Sequence, residues 1–202
     1  MVVIIDYGVG NLFSLKSSFK AIGQEVIVSG DPKVIGKADK LILPGVGAFG
    51  DASKKLFDSG LADVIKKQVE KGVAILGVCL GMQMLFEKSF EYGEHQGLGL
   101  LKGSVVAIDL PKEYKIPHIG WNALQFKKDS PLLKYIKEGD CVYFVHSYHA
   151  VDCQDSLIAT TEYGKELTAM VGKGKVFGCQ FHPEKSGEVG LNILKAFLLL
   201  GE

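Results

Sequence analysis

The stretch Val73-Ala74-Ile75-Leu76-Gly77-Val78-Cys79-Leu80-Gly81-Met82-Gln83-Met84-Leu85-Phe86 decides how this chain is read. Residues 73–78 form a short apolar run, the pattern of a strand buried on both faces. Gly77 and Gly81 bracket Cys79, and residues 80–86 continue in helix-forming types. Strand, tight turn and helix in that order put the cysteine at the apex of a G-x-nucleophile-x-G elbow. The glycines suit such a turn, because an apex side chain sits in strained backbone whose neighbours approach closely only without Cβ atoms.

Upstream of the elbow the pattern alternates. Leu61, Val64, Ile65 and Val69 share a helical face closed by Gly72, and residues 41–43 and 25–28 read as strands. An apolar run over residues 1–6 precedes Leu12, Leu15, Phe19 and Ile22, which recur at helical spacing up to Gly23. Alternating strands and helices predict an α/β fold of three layers, with a mostly parallel central sheet and helices on both faces. Downstream of Leu98, β-branched and aromatic runs at 104–108, 121–126, 141–151, 157–161, 169–171 and 176–181 are expected to add antiparallel or mixed strands to the same sheet. Val189, Ile193, Phe197 and Leu200 mark a last helix. No repeat, low-complexity tract or linker interrupts the chain, so residues 1–202 read as a single domain.

With 202 residues, 47% of them hydrophobic, the chain carries enough apolar surface for one full core. Its 23 basic side chains balance 23 acidic ones, and every basic one is lysine. Readers of nucleic acid lean on positive charge and on the bidentate guanidinium fork, so this composition argues against them and toward a small-molecule or protein partner. The first apolar run breaks at Asp6, too early for a signal peptide, and the longest uncharged stretch, residues 72–86, is shorter than a membrane span. Four cysteines without a C-x-x-C pair fit a reducing compartment, so a cytoplasmic protein is expected.

A cysteine thiol is a weak nucleophile until a base takes its proton. Residues Phe181-His182-Pro183-Glu184-Lys185 offer an imidazole with a carboxylate two positions on, which in extended backbone points to the same side. That carboxylate would fix the tautomer and stabilise the imidazolium. Cys79, His182 and Glu184 therefore form a candidate triad. Gly45-Val46-Gly47-Ala48-Phe49-Gly50 matches a dinucleotide fingerprint, but the following strand ends in Cys79 and not in a ribose-binding acid. It reads better as a mobile loop able to turn an N–H toward an oxyanion. Cys141, His146, His149 and Cys153 could suggest a metal; the two histidines, three apart in a strand, face opposite sides, so no metal or other cofactor is expected.

Three segments together, Pro44 to Gly50, Gly77 to Gln83 and Phe181 to Ser186, resemble the class I (triad) glutamine amidotransferases, and the resemblance covers essentially the whole chain. Asp6-Tyr7-Gly8-Val9-Gly10-Asn11, Gly97-Leu98-Gly99-Leu100, Pro117-His118-Ile119-Gly120-Trp121-Asn122 and Tyr143-Phe144-Val145-His146-Ser147-Tyr148 are similar to the glutaminase subunits of imidazole glycerol phosphate synthase. The resemblance implies a flavodoxin-like fold and hydrolysis of L-glutamine to glutamate and ammonia. It also implies a heterodimer with a (βα)8-barrel cyclase subunit that consumes the ammonia in histidine biosynthesis. Carried onto this chain, Cys79 is the nucleophile, His182 the base and then acid, and Glu184 the orienting carboxylate. Val46, Gly47 and the N–H of Leu80 would form the oxyanion hole. Gly47, Gln83, Glu91, Ser147 and Tyr148 would bind glutamine, and Asn11, Trp121, Tyr143 and Lys185 would face the cyclase. Phe13 departs from the pattern, standing where relatives often carry arginine.

Two other readings compete. A glutaminase serving pyridoxal phosphate or anthranilate synthesis would not call for the Pro117 to Asn122 segment. A non-catalytic flavodoxin-like cysteine protein would not need His182 and Glu184 together.

Overall fold

The computed structural model describes residues 1–201. Its first strands are β1 (Val2–Ile5), β2 (Val26–Ser29), β3 (Lys40–Leu43) and β4 (Ala74–Val78); the short β5 (Lys88–Ser89), β6 (His95–Gln96) and β7 (Ser104–Ala107) follow. Next come β8 (His118–Ala123), β9 (Gln125–Phe126), β10 (Cys141–His146) and β11 (Tyr148–Val151), then β12 (Leu157–Glu162), β13 (Glu166–Lys173) and β14 (Val176–Cys179). The helices are α1 (Leu12–Ala21), α2 (Pro32–Ile35), α3 (Phe49–Asp58), α4 (Leu61–Glu70), α5 (Leu80–Gln83) and α6 (Gly187–Leu198).

One eight-stranded sheet runs in the order β2-β1-β3-β4-β14-β13-β12-β9. β1 to β4 and β14 are parallel, whereas β13, β12 and β9 add antiparallel pairs. Alternate residues of one strand feed opposite cores: Val3 and Ile5 pack with Ile35, Leu56 and Ile65 from α2, α3 and α4, while Ile4 packs with Phe19, Ile193 and Phe197 from α1 and α6. The three expected layers are thus present, and the alternation explains why the parallel strands read as unbroken apolar runs.

The later strands depart from expectation. They do not all join the main sheet: β8 and β10 form a separate antiparallel pair, and β11, β7, β5 and β6 form a four-stranded sheet. The run expected as one strand over residues 141–151 breaks at Ser147. There the His146 Nδ1 lies 2.8 Å from the carbonyl of Tyr148, a local side-chain bond that competes with a continuous ladder. The helix expected over residues 80–86 is a single turn, because segment 98–101 captures the next carbonyls: Leu98 N–H donates to Met84 and Leu100 N–H to Leu85. Residues 45–50 are also not wholly loop, since α3 begins at Phe49.

Backbone proximity around the elbow sets a strict steric limit. A Cβ on Gly81 would lie 1.8 Å from the Leu43 carbonyl oxygen, so β3 and the elbow touch only while residue 81 is glycine. Gly81→Ala is expected to lower unfolding stability by about 3 kcal/mol or more in urea titrations. The exposed Lys16→Ala on α1 is expected to stay within about 0.5 kcal/mol of the unmodified chain.

Candidate active site

The site forms where β3, β4 and β14 end side by side. β4 passes its last residue, Val78, into Cys79, whose φ of 55° and ψ of −112° lie outside the ordinary regions for an L-residue. Strain of that kind persists only where surroundings over-determine it. Here the Cys79 N–H donates to the Cys179 carbonyl at 2.8 Å, continuing the β4–β14 ladder by one rung past the strand. The sulfur-bearing residue is 8% exposed.

β14 pairs Cys179 with Val78, which carries the chain to His182 at the same edge of the sheet. The His182 N–H is taken by the Tyr143 carbonyl at 3.0 Å. His182 itself is extended, but Glu184 is not: Pro183 opens a 3-10 turn over Pro183–Lys185 that folds the carboxylate back. The two groups meet all the same, with His182 Nδ1 2.8 Å from Glu184 Oε1 and both side chains almost wholly buried. Burial works against charge on this imidazole. Hydrogen bonds to Cys79 and Glu184, with the negative charges of both, outweigh it and hold the His182 imidazolium up to about 10. The His182 ring thus lies between the Cys79 side chain and the Glu184 carboxylate, which it meets through a turn and not through the extended spacing expected of residues 182 and 184.

A cleft of about 360 Å³ opens at Cys79, lined by Val46, Gly47, Cys79, Leu80, Gln83, Glu91, Val145, His146, Ser147, Tyr148, His182 and Lys185. Each residue expected to bind glutamine or form the oxyanion hole therefore borders one cavity. Two of them also have structural partners. Glu91 Oε2 accepts the Phe49 N–H at 2.7 Å, anchoring the start of α3. Gln83 Nε2 donates to the Tyr148 carbonyl at 3.1 Å and to Gln180 Oε1 at 3.0 Å. The glycine loop is held from its other end by the buried Tyr7, whose hydroxyl donates to the Pro44 carbonyl at 2.8 Å. Burial and the nearby Cys79 push the Tyr7 hydroxyl well above its ordinary value, so it remains a donor. Between these anchors Gly47 has a φ of +92°, which favours glycine although a Cβ there would meet nothing.

Asn11 caps α1, its Oδ1 accepting the Ser14 N–H at 3.3 Å. Trp121 and Tyr143 lie opposite each other across β8 and β10 with ring centroids 6.0 Å apart, and Lys185 Nζ sits 5.8 Å from the Tyr143 centroid. Trp121 and Ile119 are 55% and 56% exposed, an apolar face beside the cleft. Among the described residues no group of three or more His, Cys, Asp or Glu side chains is placed to hold a metal ion, and no helix is long and apolar enough to cross a membrane.

Sequence reasoning missed Gln180, Tyr7 and the buried pair His118–His146, whose rings meet at Nδ1 and Nε2, 3.0 Å apart. Burial, against the hydrogen bond to Tyr148, pushes the His146 imidazole down to about 3. Gln180 was accessible to pattern, since extended backbone points residues 180 and 182 to one side. Tyr7 and the histidine pair carried no local signal, because their partners are remote in the chain.

The His182 ring provides a direct measurement. By NMR its nitrogens are expected to stay doubly protonated through pH 8, with a midpoint near the value of about 10 given above. Cys79→Ala removes one hydrogen bond and one negative charge, leaving burial less opposed, so the midpoint is expected to fall by at least about one pH unit.

Residues 3–200 match the glutamine amidotransferase class-I family. A curated relative from Caldanaerobacter subterraneus subsp. tengcongensis, "Imidazole glycerol phosphate synthase subunit HisH", is 56% identical over 98% of this chain and 97% of its own length. The protein of the same description from Lactococcus lactis subsp. lactis is 54% identical over 98% and 97%. Among solved structures, one described as a glutamine amidotransferase superposes with a TM-score of 0.76 at 22% identity, covering 98% of this chain and 99% of the other, and so supports the fold. With sequence and architecture in agreement, the chain belongs to the class I glutamine amidotransferases and, among them, to the family of HisH subunits.

Proposed function

We propose that this chain is the glutaminase subunit of an imidazole glycerol phosphate synthase, acting as one domain over residues 1–202, of which Glu202 lies outside the described residues. The observation that carries the reading is a cleft lined by Cys79 and His182, with Glu184 bonded to the far side of the imidazole, and bordered by Val145 of β10 and by Lys185, which lies against Tyr143.

The chemistry follows from the groups. The anionic sulfur of Cys79 attacks the side-chain amide carbon of glutamine, and the carbonyl electrons move to oxygen. The Leu80 N–H and the Val46–Gly47 loop offer donors to that oxyanion, each such donor being worth about 3 kcal/mol in the transition state. His182 gives its proton to the leaving nitrogen, ammonia departs, and a thioester remains on Cys79. Water then attacks the thioester while His182 takes a proton from it, releasing glutamate and the sulfur. Glu184 keeps the ring oriented and its charge balanced throughout. Gly47, Gln83, Glu91, Ser147 and Tyr148 hold the glutamine.

Ammonia released into water would be protonated and lost as a nucleophile, so a consuming partner has to cover the cleft. Trp121, Ile119 and Tyr143 with Lys185 form the apolar and cationic surface for a (βα)8-barrel cyclase, together with Asn11 at the start of α1. There the ammonia would enter the conversion of a phosphoribulosyl-formimino aminoimidazole carboxamide ribonucleotide to imidazole glycerol phosphate. A cytoplasmic location fits four cysteines spaced without a C-x-x-C pair.

The test is glutamine hydrolysis by the purified chain, alone and with the cyclase and its nucleotide. Turnover is expected to be low alone and to rise in the complete mixture; negligible turnover in both overturns the reading. Cys79→Ala is expected to lose at least about a thousandfold in hydrolysis and to bind the cyclase within about twofold of the unmodified chain. Trp121→Ala is expected to weaken that binding about tenfold or more, measured by calorimetry.

A further inference from the structure

Gln180 precedes the triad histidine by two residues, and its side chain is fully buried. Its Nε2 lies 3.8 Å from the Cys79 sulfur, within hydrogen-bonding distance for that atom, although the two residues are 101 positions apart. The direction of an amide is ordinarily ambiguous, since its oxygen and nitrogen are interchangeable in shape. Here the neighbours settle it. The Tyr148 carbonyl can only accept, so the Gln83 group 3.1 Å from it is the NH2. That same NH2 lies 3.0 Å from the Gln180 amide, which must present its oxygen. The Gln180 NH2 is thereby turned toward sulfur. His146 Nδ1 reaches the same Tyr148 carbonyl at 2.8 Å, so the acceptor at the head of the chain is doubly engaged.

We infer that Gln180 is a further catalytic residue, an amide donor to the Cys79 sulfur whose direction is enforced by the Tyr148 carbonyl through Gln83. The inference deepens the glutaminase reading and rests on it. A donor on the sulfur favours the anionic form over the thiol, as a charge-assisted hydrogen bond does. It also holds the sulfur from a second direction, so that the nucleophile is gripped between imidazole and amide. Gln83 acts here as a positioning residue, in addition to bordering the glutamine cleft.

The experiment uses iodoacetamide on the full chain, with Cys79 and the exposed Cys141 followed separately by peptide mass spectrometry. Cys141 serves as the internal reference. Gln180→Leu is expected to slow Cys79 alkylation about tenfold at pH 7 relative to Cys141 and to move its pH profile toward higher pH. Gln180→Glu, nearly isosteric, keeps an oxygen for Gln83 but loses the donor, and is expected to do the same. Gln83→Leu frees the Gln180 amide to turn over, so a smaller loss of about threefold is expected, vanishing in the Gln180→Leu background. Cys79 rates within about twofold of the unmodified chain in both Gln180 variants, with unmoved profiles, overturn the inference. So does a Gln83→Leu effect that persists in full beside Gln180→Leu, because independent packing losses add. Alkylation requires neither glutamine nor cyclase. Failure of the glutaminase reading would therefore appear as absent turnover in the unmodified complex, separately from these rates.

Discussion

Parallel strands leave a sheet at the same edge, and the pairing of Val78 with Cys179 uses that fact to bring together segments about a hundred residues apart. Past the last pair one strand turns into Cys79 and the other continues to His182. Immediately beside them β3 ends in Leu43 and passes into the Pro44-Gly45-Val46-Gly47 loop. Cys79, His182 and the glycine loop, the proposed nucleophile, base and oxyanion loop, are thus the carboxyl-end extensions of three neighbouring strands, the edge at which open α/β sheets place their ligands. The Cys79 N–H to Cys179 carbonyl bond and the Gly81 contact with Leu43 are the closest physical expressions of that pairing. A residue with a side chain at 81 would part β3 from the elbow and separate the loop from the sulfur.

Burial around this edge decides the charge states. The imidazole of His182 is held protonated by Cys79 and Glu184 in spite of burial, whereas His146, on an adjoining strand and without a carboxylate partner, is pushed toward neutrality by the same environment. The difference lies in partners and not in exposure, since both rings are almost inaccessible. Buried polar side chains are costly unless satisfied, and here Gln83, Gln180 and His146 satisfy one another around a single backbone carbonyl. The interior around Cys79 is consequently a connected hydrogen-bonded unit.

β8 and β10 join that interior to the surface. Their inward residues, His118, Phe144 and His146, are buried, with Phe144 edge-on to Phe181, the residue before His182. Of their outward residues, Ile119 and Trp121 face solvent and Tyr143 is half-buried. Because successive side chains of a strand alternate, whatever covers Trp121 bears on the backbone that carries His118, and whatever covers Tyr143 bears on the carbonyl that holds His182.

Local pattern determined a great deal. The apolar run into Gly77-Val78-Cys79-Leu80-Gly81 announced a strand and an elbow, the helical faces on either side announced α/β layering, and His182-Pro183-Glu184 announced an imidazole paired with a carboxylate. These are short-range statements, legible because residue spacing maps directly onto strand and helix geometry. Tertiary structure alone decided that β8, β10 and β11 leave the main sheet, that the helix after Cys79 stops after one turn, and that Glu184 reaches the imidazole through a turn. It also decided that Tyr7 anchors Pro44, that Glu91 anchors Phe49 and that Gln180 turns its amide to the sulfur. Each of these depends on which distant carbonyl, carboxylate or sulfur arrives within 2.7 to 3.8 Å of a polar group. Strand pairing sets such meetings, and no periodicity within either partner encodes them.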